Sequence, residues 1–164
     1  MSRLFKIDLL FANPLQIGSY VLIEQDVMAA LHKFRQLSAD DSEAGGILIG
    51  YRRQQHLHVV EFTAPAAGDH RTRYEFDRRD PCHARWAYER WKRSRGKLDC
   101  VGEWHTHPED IPSPSGLDRS EWQRVPSSVE QMRVFLIIGI AADWLGVGQR
   151  TRLSPATAVN RAAD

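Results

Sequence analysis

The longest apolar run in this chain, Val134 to Ala142, is nine residues. A helix crossing a bilayer needs about 20 apolar residues, so this run reads as a strand buried in a globular core. One hundred and sixty-four residues suffice for one domain with its own core and are too few for two full ones. The N-terminus lacks the charged, apolar and small-residue order of a secretory signal. Two cysteines, Cys82 and Cys100, make no disulfide framework, which points to a reducing cytoplasm. With 22 Lys and Arg against 21 Asp and Glu, the formal net charge is +1, a poor match to a generic nucleic-acid binder. Membrane, disulfide-scaffold, fibrous and disordered classes are therefore excluded, and the chemistry is still open.

The order of elements reads as mixed α/β. Tyr20 to Ile23 is a short strand. Glu24 to Gln36 carries Val27, Leu31 and Phe34 at helical spacing. Gly45 to Tyr51 is a buried strand, with His58 to Thr63 as its hairpin partner. Pro65 to Arg73 is a polar loop, and Tyr74 to Asp77 a short strand. Pro81 to Arg95 is a second amphipathic helix with Ala84, Ala87, Tyr88 and Trp91 on its apolar face, Pro81 in its first turn and Gly96 past its end. Leu98 to His107 is a strand, Glu109 to Gly116 a loop and Ser115 to Arg124 a helix. Met132 to Ala142 and Trp144 to Thr151 form a closing hairpin. From Ser154 onward no periodicity is left, which predicts a frayed tail. Strands alternating with helices predict a sheet covered by helices.

Seven histidines are present, and the segment Gly102 to Asp118, GEWHTHPEDIPSPSGLD, concentrates the useful ones. His105 and His107 are two apart on a strand, so both imidazoles share one face. Pro108 ends the strand and the loop returns the chain to Asp118. Two imidazoles and a carboxylate suit zinc, and three protein ligands leave a fourth position open, as catalytic zinc sites do. A lone H-x-H means little, for the chain has a second at His56 and His58, read as the solvated face of a hairpin. Requiring an Asp at a fixed offset lowers the chance expectation to about 0.02. Ser115 to Asp118 also fits a helix capping box with Asp in the usual Glu position, which would hold Asp118 rigidly.

His105-Thr106-His107-Pro108 followed by Pro114-Ser115-Gly116-Leu117-Asp118 resembles the signature of the JAMM (JAB/MPN+) metalloproteases. Glu43-Ala44-Gly45-Gly46-Ile47-Leu48-Ile49-Gly50 resembles the family's upstream glutamate at the start of a glycine-containing strand. The resemblance runs from about Val21 to Gln149 and implies the JAB/MPN fold, a mixed central β-sheet flanked by helices with cytidine-deaminase-like layering. It implies a single domain over residues 1–152 and a flexible tail over 153–164. It makes His105, His107 and Asp118 ligands of one Zn2+ per chain, Glu43 the base and Ser115 the oxyanion donor. Glu103 shares the ligand face and reads as a partner of the ligands or an alternative base. Trp104 and Trp122 flank the motif and read as core residues or substrate contacts.

The family implies hydrolysis of the bond after the C-terminus of a ubiquitin-like protein. The wording of the loops resembles small stand-alone bacterial members from CBASS-type antiphage operons, where the released protein is a conjugated nucleotidyltransferase. The partner would be the C-terminal tail of such a protein, with neither membrane nor nucleic acid involved. The oligomeric state is not legible. Competing expectations are a peptidase that trims a ubiquitin-like or sulfur-carrier precursor and a non-catalytic MPN scaffold.

Overall fold

The structure of the chain, a computed structural model, describes residues 9–124 and 131–159. In chain order the elements are β1 (Leu9–Ala12), β2 (Tyr20–Ile23), α1 (Gln25–His32), β3 (Gly45–Arg53), β4 (His56–Phe62), β5 (His70–Thr72) and β6 (Glu75–Asp77). They continue as α2 (Cys82–Arg93), β7 (Leu98–Thr106), α3 (Gly116–Gln123), β8 (Arg133–Ile138), β9 (Asp143–Gln149), β10 (Arg152–Pro155) and β11 (Thr157–Ala158). Nine strands form one mixed sheet in the order β10-β9-β8-β7-β3-β4-β2-β1-β11, and β5 pairs with β6 alone. The pairs β2–β4 and β7–β8 are parallel, and the rest are antiparallel.

The two outermost strands of this sheet, β10 and β11, are separated in sequence by Ala156 alone. Two residues span about 7 Å at most, so the edges of the sheet lie next to each other. The sheet therefore curls until it nearly closes, and the chain after Arg150 makes the seam. The frayed tail expected from residue 153 gives way, over 153–158, to paired strands. The expectation failed because hydrogen bonding to β9 and β1 holds these residues, not a buried periodic face. Residues 160–164 lie outside the described residues.

Val27, Met28 and Leu31 of α1 pack with Val21, Leu48, Val59, Val101, Trp104, Leu136 and Val147 into the main core. A second cluster, Trp122 with Phe135 and Ile137, lies under α3 on the opposite face. Each such side chain fully withdrawn from water contributes about 1.5–3 kcal/mol. Where β7 crosses β8, a β-carbon on Gly102 would run into the Val134 carbonyl, so the strands meet only because Gly is there.

Two helices depart from their sequence patterns. α1 stops at His32 instead of Gln36. Tight turns then follow, with Phe34 N–H donating to the Leu31 carbonyl and Arg35 N–H to the His32 carbonyl. They carry Gln36 to the interior, where it is 1% exposed. α2 forms as expected but buries His83 and leaves Tyr88 and Trp91 exposed. Polar contacts set its orientation: Trp86 and Arg90 both donate to Glu61. β1 and β5 were not anticipated; each is four residues or fewer and lacks clear alternation.

Candidate functional site

β7 brings His105 to its end, and the backbone of His107 continues onto β8 by donating to the Ile138 carbonyl at 3.0 Å. The two imidazoles converge, with Nε2 atoms 3.0 Å apart. Asp118 arrives from the first turn of α3, its Oδ1 3.2 Å from His105 Nε2 and its Oδ2 3.3 Å from His107 Nε2. Asp118 is fixed by a reciprocal cap: Ser115 Oγ accepts the Asp118 N–H at 3.1 Å, and Asp118 Oδ2 accepts the Ser115 N–H at 2.7 Å. One carboxylate thus ends a helix and faces two histidines. Both histidines are buried.

This donor set fits zinc. Ligands about 2.0–2.1 Å from a tetrahedral centre stand roughly 3.3 Å from one another. The observed separations of 3.0, 3.2 and 3.3 Å approach that triangle. Among the described residues, His105, His107 and Asp118 are the group of His, Cys, Asp or Glu side chains able to hold a metal ion. His56 and His58, the other H-x-H, are engaged elsewhere: His56 Nδ1 accepts the Tyr20 N–H, and His58 pairs with Glu24 at 3.2 Å.

Without metal the centre is strongly coupled. Burial alone would raise the Asp118 carboxyl, but hydrogen bonds from His105, His107 and Ser115 pull it far below the usual carboxylate range. Burial opposes charge on His107, yet its hydrogen bond to Asp118 and the field of Glu43 raise its pKa. A bound dication would take the place of that proton, since ligand imidazoles must be neutral.

Glu43 precedes β3 and is 4% exposed, with Oε1 4.0 Å from His107 Nε2. Burial pushes its carboxyl up to about 8, against the opposing pull of His107. Its main chain is clamped: the N–H donates to the Thr72 carbonyl at 2.7 Å, and its carbonyl accepts from Arg71 Nε at 2.6 Å. Glu103 lies along the same groove but is held by Arg78 at 3.2 Å and Arg133 at 3.4 Å. Trp104 takes the core position, the first of its two readings. It is 1% exposed, because alternation along β7 turns it to the core face, where it packs on Phe34 and Phe62. Trp122 is buried behind His105, with ring centres 6.0 Å apart, and serves as that ring's support.

The groove beside the centre is lined by Glu43, Phe76, Arg78, Glu103, His105 and Leu117, among others, and encloses about 350 Å³. Its wall is the β5–β6 hairpin, whose Phe76 ring sits where a β-carbon on Gly45 would be. Arg71, Thr72 and Glu109 escaped the sequence reading. Glu109 Oε1 is 3.7 Å from His107 Nδ1, and its position two residues past the second histidine was the available signal. Arg71 and Thr72 act through main-chain contacts, which leave no signature in sequence.

Residues 24–151 match the family model described as prokaryotic homologs of the JAB domain. The chain belongs to this family. Every candidate residue of the prokaryotic JAB centre, from Glu43 to Asp118, falls inside the matched range. A Vibrio cholerae serotype O1 protein named CD-NTase/cGAS isopeptidase is 44% identical over 130 residues, covering 79% of this chain and 83% of that one. A Pseudomonas aeruginosa protein of the same name is 41% identical over 136 residues, covering 77% and 86%. A solution structure of a Desulfitobacterium hafniense protein shares the fold at a TM-score of 0.55 and 17% identity, covering 81% of this chain and 87% of that one.

Proposed function

We propose that this JAB-family chain is a cytoplasmic, zinc-dependent isopeptidase of a bacterial antiphage system. Its substrate is a protein conjugated through its C-terminus, of the CD-NTase type named in the relatives, or a ubiquitin-like protein. The observation that carries this reading is the convergence of His105, His107 and Asp118 beside the buried carboxylate of Glu43. His105, His107 and Asp118 would hold one zinc per chain. Zinc supplies a Lewis acid and lowers the pKa of water to about 7.

Glu43 takes the proton of the attacking water and returns it to the departing amine. The Ser115 hydroxyl accepts the Asp118 N–H through a lone pair and retains its own proton. That proton is donated to the developing oxyanion, an interaction worth about 3 kcal/mol in comparable sites. Glu103, paired with two arginines, shapes the groove and does not serve as base.

The test uses a CD-NTase from the same genome fused through its C-terminus to a reporter protein. Wild-type protein is expected to separate the two, and Glu43→Ala to lose at least about 10²-fold in rate, the scale of a general base. Release at the wild-type rate by Glu43→Ala, or abolition by Glu103→Ala alone, would overturn the assignment of the base.

A further inference from the structure

Gln36 lies outside every motif, yet it is 1% exposed and its side chain reaches three separate segments. Its Nε2 donates to the Arg73 carbonyl at 2.9 Å and to the Asp41 carbonyl at 3.2 Å. Its Oε1 accepts the Thr106 hydroxyl at 2.9 Å. Thr106 is fully buried and stands between His105 and His107 in the chain. While donating to Gln36, its Oγ1 accepts the Ala44 N–H at 2.9 Å, and its own N–H donates to the Ala44 carbonyl at 2.8 Å.

Each partner of this amide sits beside a part of the site. Thr106 separates the two histidines, Asp41 is two residues before Glu43, and Arg73 follows Thr72, which accepts the Glu43 N–H. Two donors and an acceptor on one short planar group are what a primary amide offers, so one side chain serves all three segments. Gln36 and Thr106 are both buried, so loss of the amide leaves the Thr106 hydroxyl without its acceptor and frees the Asp41 and Arg73 carbonyls from their shared donor.

We propose that Gln36 is a positioning residue, which sets the Glu43 carboxylate against the two histidines by locking the ligand strand, the Glu43 segment and the β5–β6 hairpin into one hydrogen-bonded chain. The inference rests on Glu43 acting as the base of the isopeptidase reaction. Proton transfer demands close placement, and a displacement of about 1 Å costs on the order of 10²-fold in rate. A residue that merely fills the core would change stability and leave the rate of the bound substrate alone.

Two pairs of variants test this: Gln36→Met with the milder Gln36→Glu, and Thr106→Val with Thr106→Ser. Cleavage of the CD-NTase–reporter fusion gives kcat and KM, chelator competition gives zinc affinity, and amide exchange of the metal-free protein gives the mobility of residues 41–44 and 70–73. Gln36→Met and Thr106→Val are expected to lower kcat by about 10- to 100-fold with KM and zinc affinity near wild type. They should also speed amide exchange in both segments, with the double variant no worse than the poorer single one. Thr106→Ser, which keeps the hydroxyl, should restore kcat and protection, and Gln36→Glu should fall between.

Wild-type kcat and protection in Gln36→Met, with only a lower melting temperature, would overturn the proposal. So would additive effects of the two substitutions. If wild-type protein leaves the fusion intact, the isopeptidase reading fails, and the exchange data still decide whether the lock exists.

Discussion

Glu43 shows how burial changes the proton affinity of a surface-type residue. Its carboxyl is pushed to about 8 from an ordinary value near 4.5, so in the metal-free protein it is ionised only at the expense of folding. A folded-state pKa above the unfolded one means that the native state holds the extra proton between those values. Stability of the metal-free protein should therefore fall as pH rises from about 4.5 to about 8. In Glu43→Gln this component is absent. Melting temperatures of chelator-treated protein at pH 5 and pH 8 check it, and equal slopes in the two proteins would contradict it. The sequence displayed His105, His107 and Asp118 because strand alternation and a capping box are local patterns. It gave no hint of the clamp around Glu43, since Ala44 and Thr106 are 62 residues apart and Gln36 and Thr106 are 70 apart.

The hairpin of β5 and β6 illustrates the same limit for an element. It is too short to stand by itself, and a buried clasp holds the loop that carries it. Thr63 Oγ1 accepts the Ile47 N–H and is hydrogen-bonded to His83 Nδ1 at 2.6 Å. His83 Nε2 then donates to Asp69 Oδ2 at 2.8 Å. Asp69 also accepts the N–H groups of Ala66, Arg79 and Asp80. Burial alone would raise the Asp69 carboxyl, but these hydrogen bonds bring it down to about 2. A depressed pKa gives stability that is present above about 4 and lost as pH falls through about 2. At about 1.4 kcal/mol per unit this amounts to on the order of 2 kcal/mol. Asp69→Asn should lose that amount at pH 7 in chemical denaturation, with the difference shrinking as pH drops from about 4 to about 2. A difference independent of pH would sink the explanation. The periodicity of α2 misled for a related reason: His83 and Arg90, polar residues with buried or ionic partners, orient it more strongly than Tyr88 and Trp91.

Across the whole molecule, the curled sheet brings the end of β7, the start of β3 and the first turn of α3 to one place. Mixed α/β class and most elements were legible from period and turn residues. The closure of the sheet was not, because it depends on the pairing of β10 with β9 and of β11 with β1, strands whose residues carry no apolar pattern. Global charge also reads differently in three dimensions. Of the arginines between Gly68 and Lys97, Arg71 and Arg73 bond main-chain carbonyls, while Arg78, Arg79 and Arg90 pair with carboxylates. Five of the ten Lys and Arg in this stretch are thus built into the fold.

The architecture is suited to hold a metal beside a base. Zinc titration of the purified protein against a chromogenic chelator tests it most directly. One zinc per chain is expected for wild type and for Glu43→Ala. Binding should be lost in His105→Ala and weaken in wild type as falling pH protonates His107. Absence of stoichiometric zinc in wild type, or undiminished binding in His105→Ala, would contradict it.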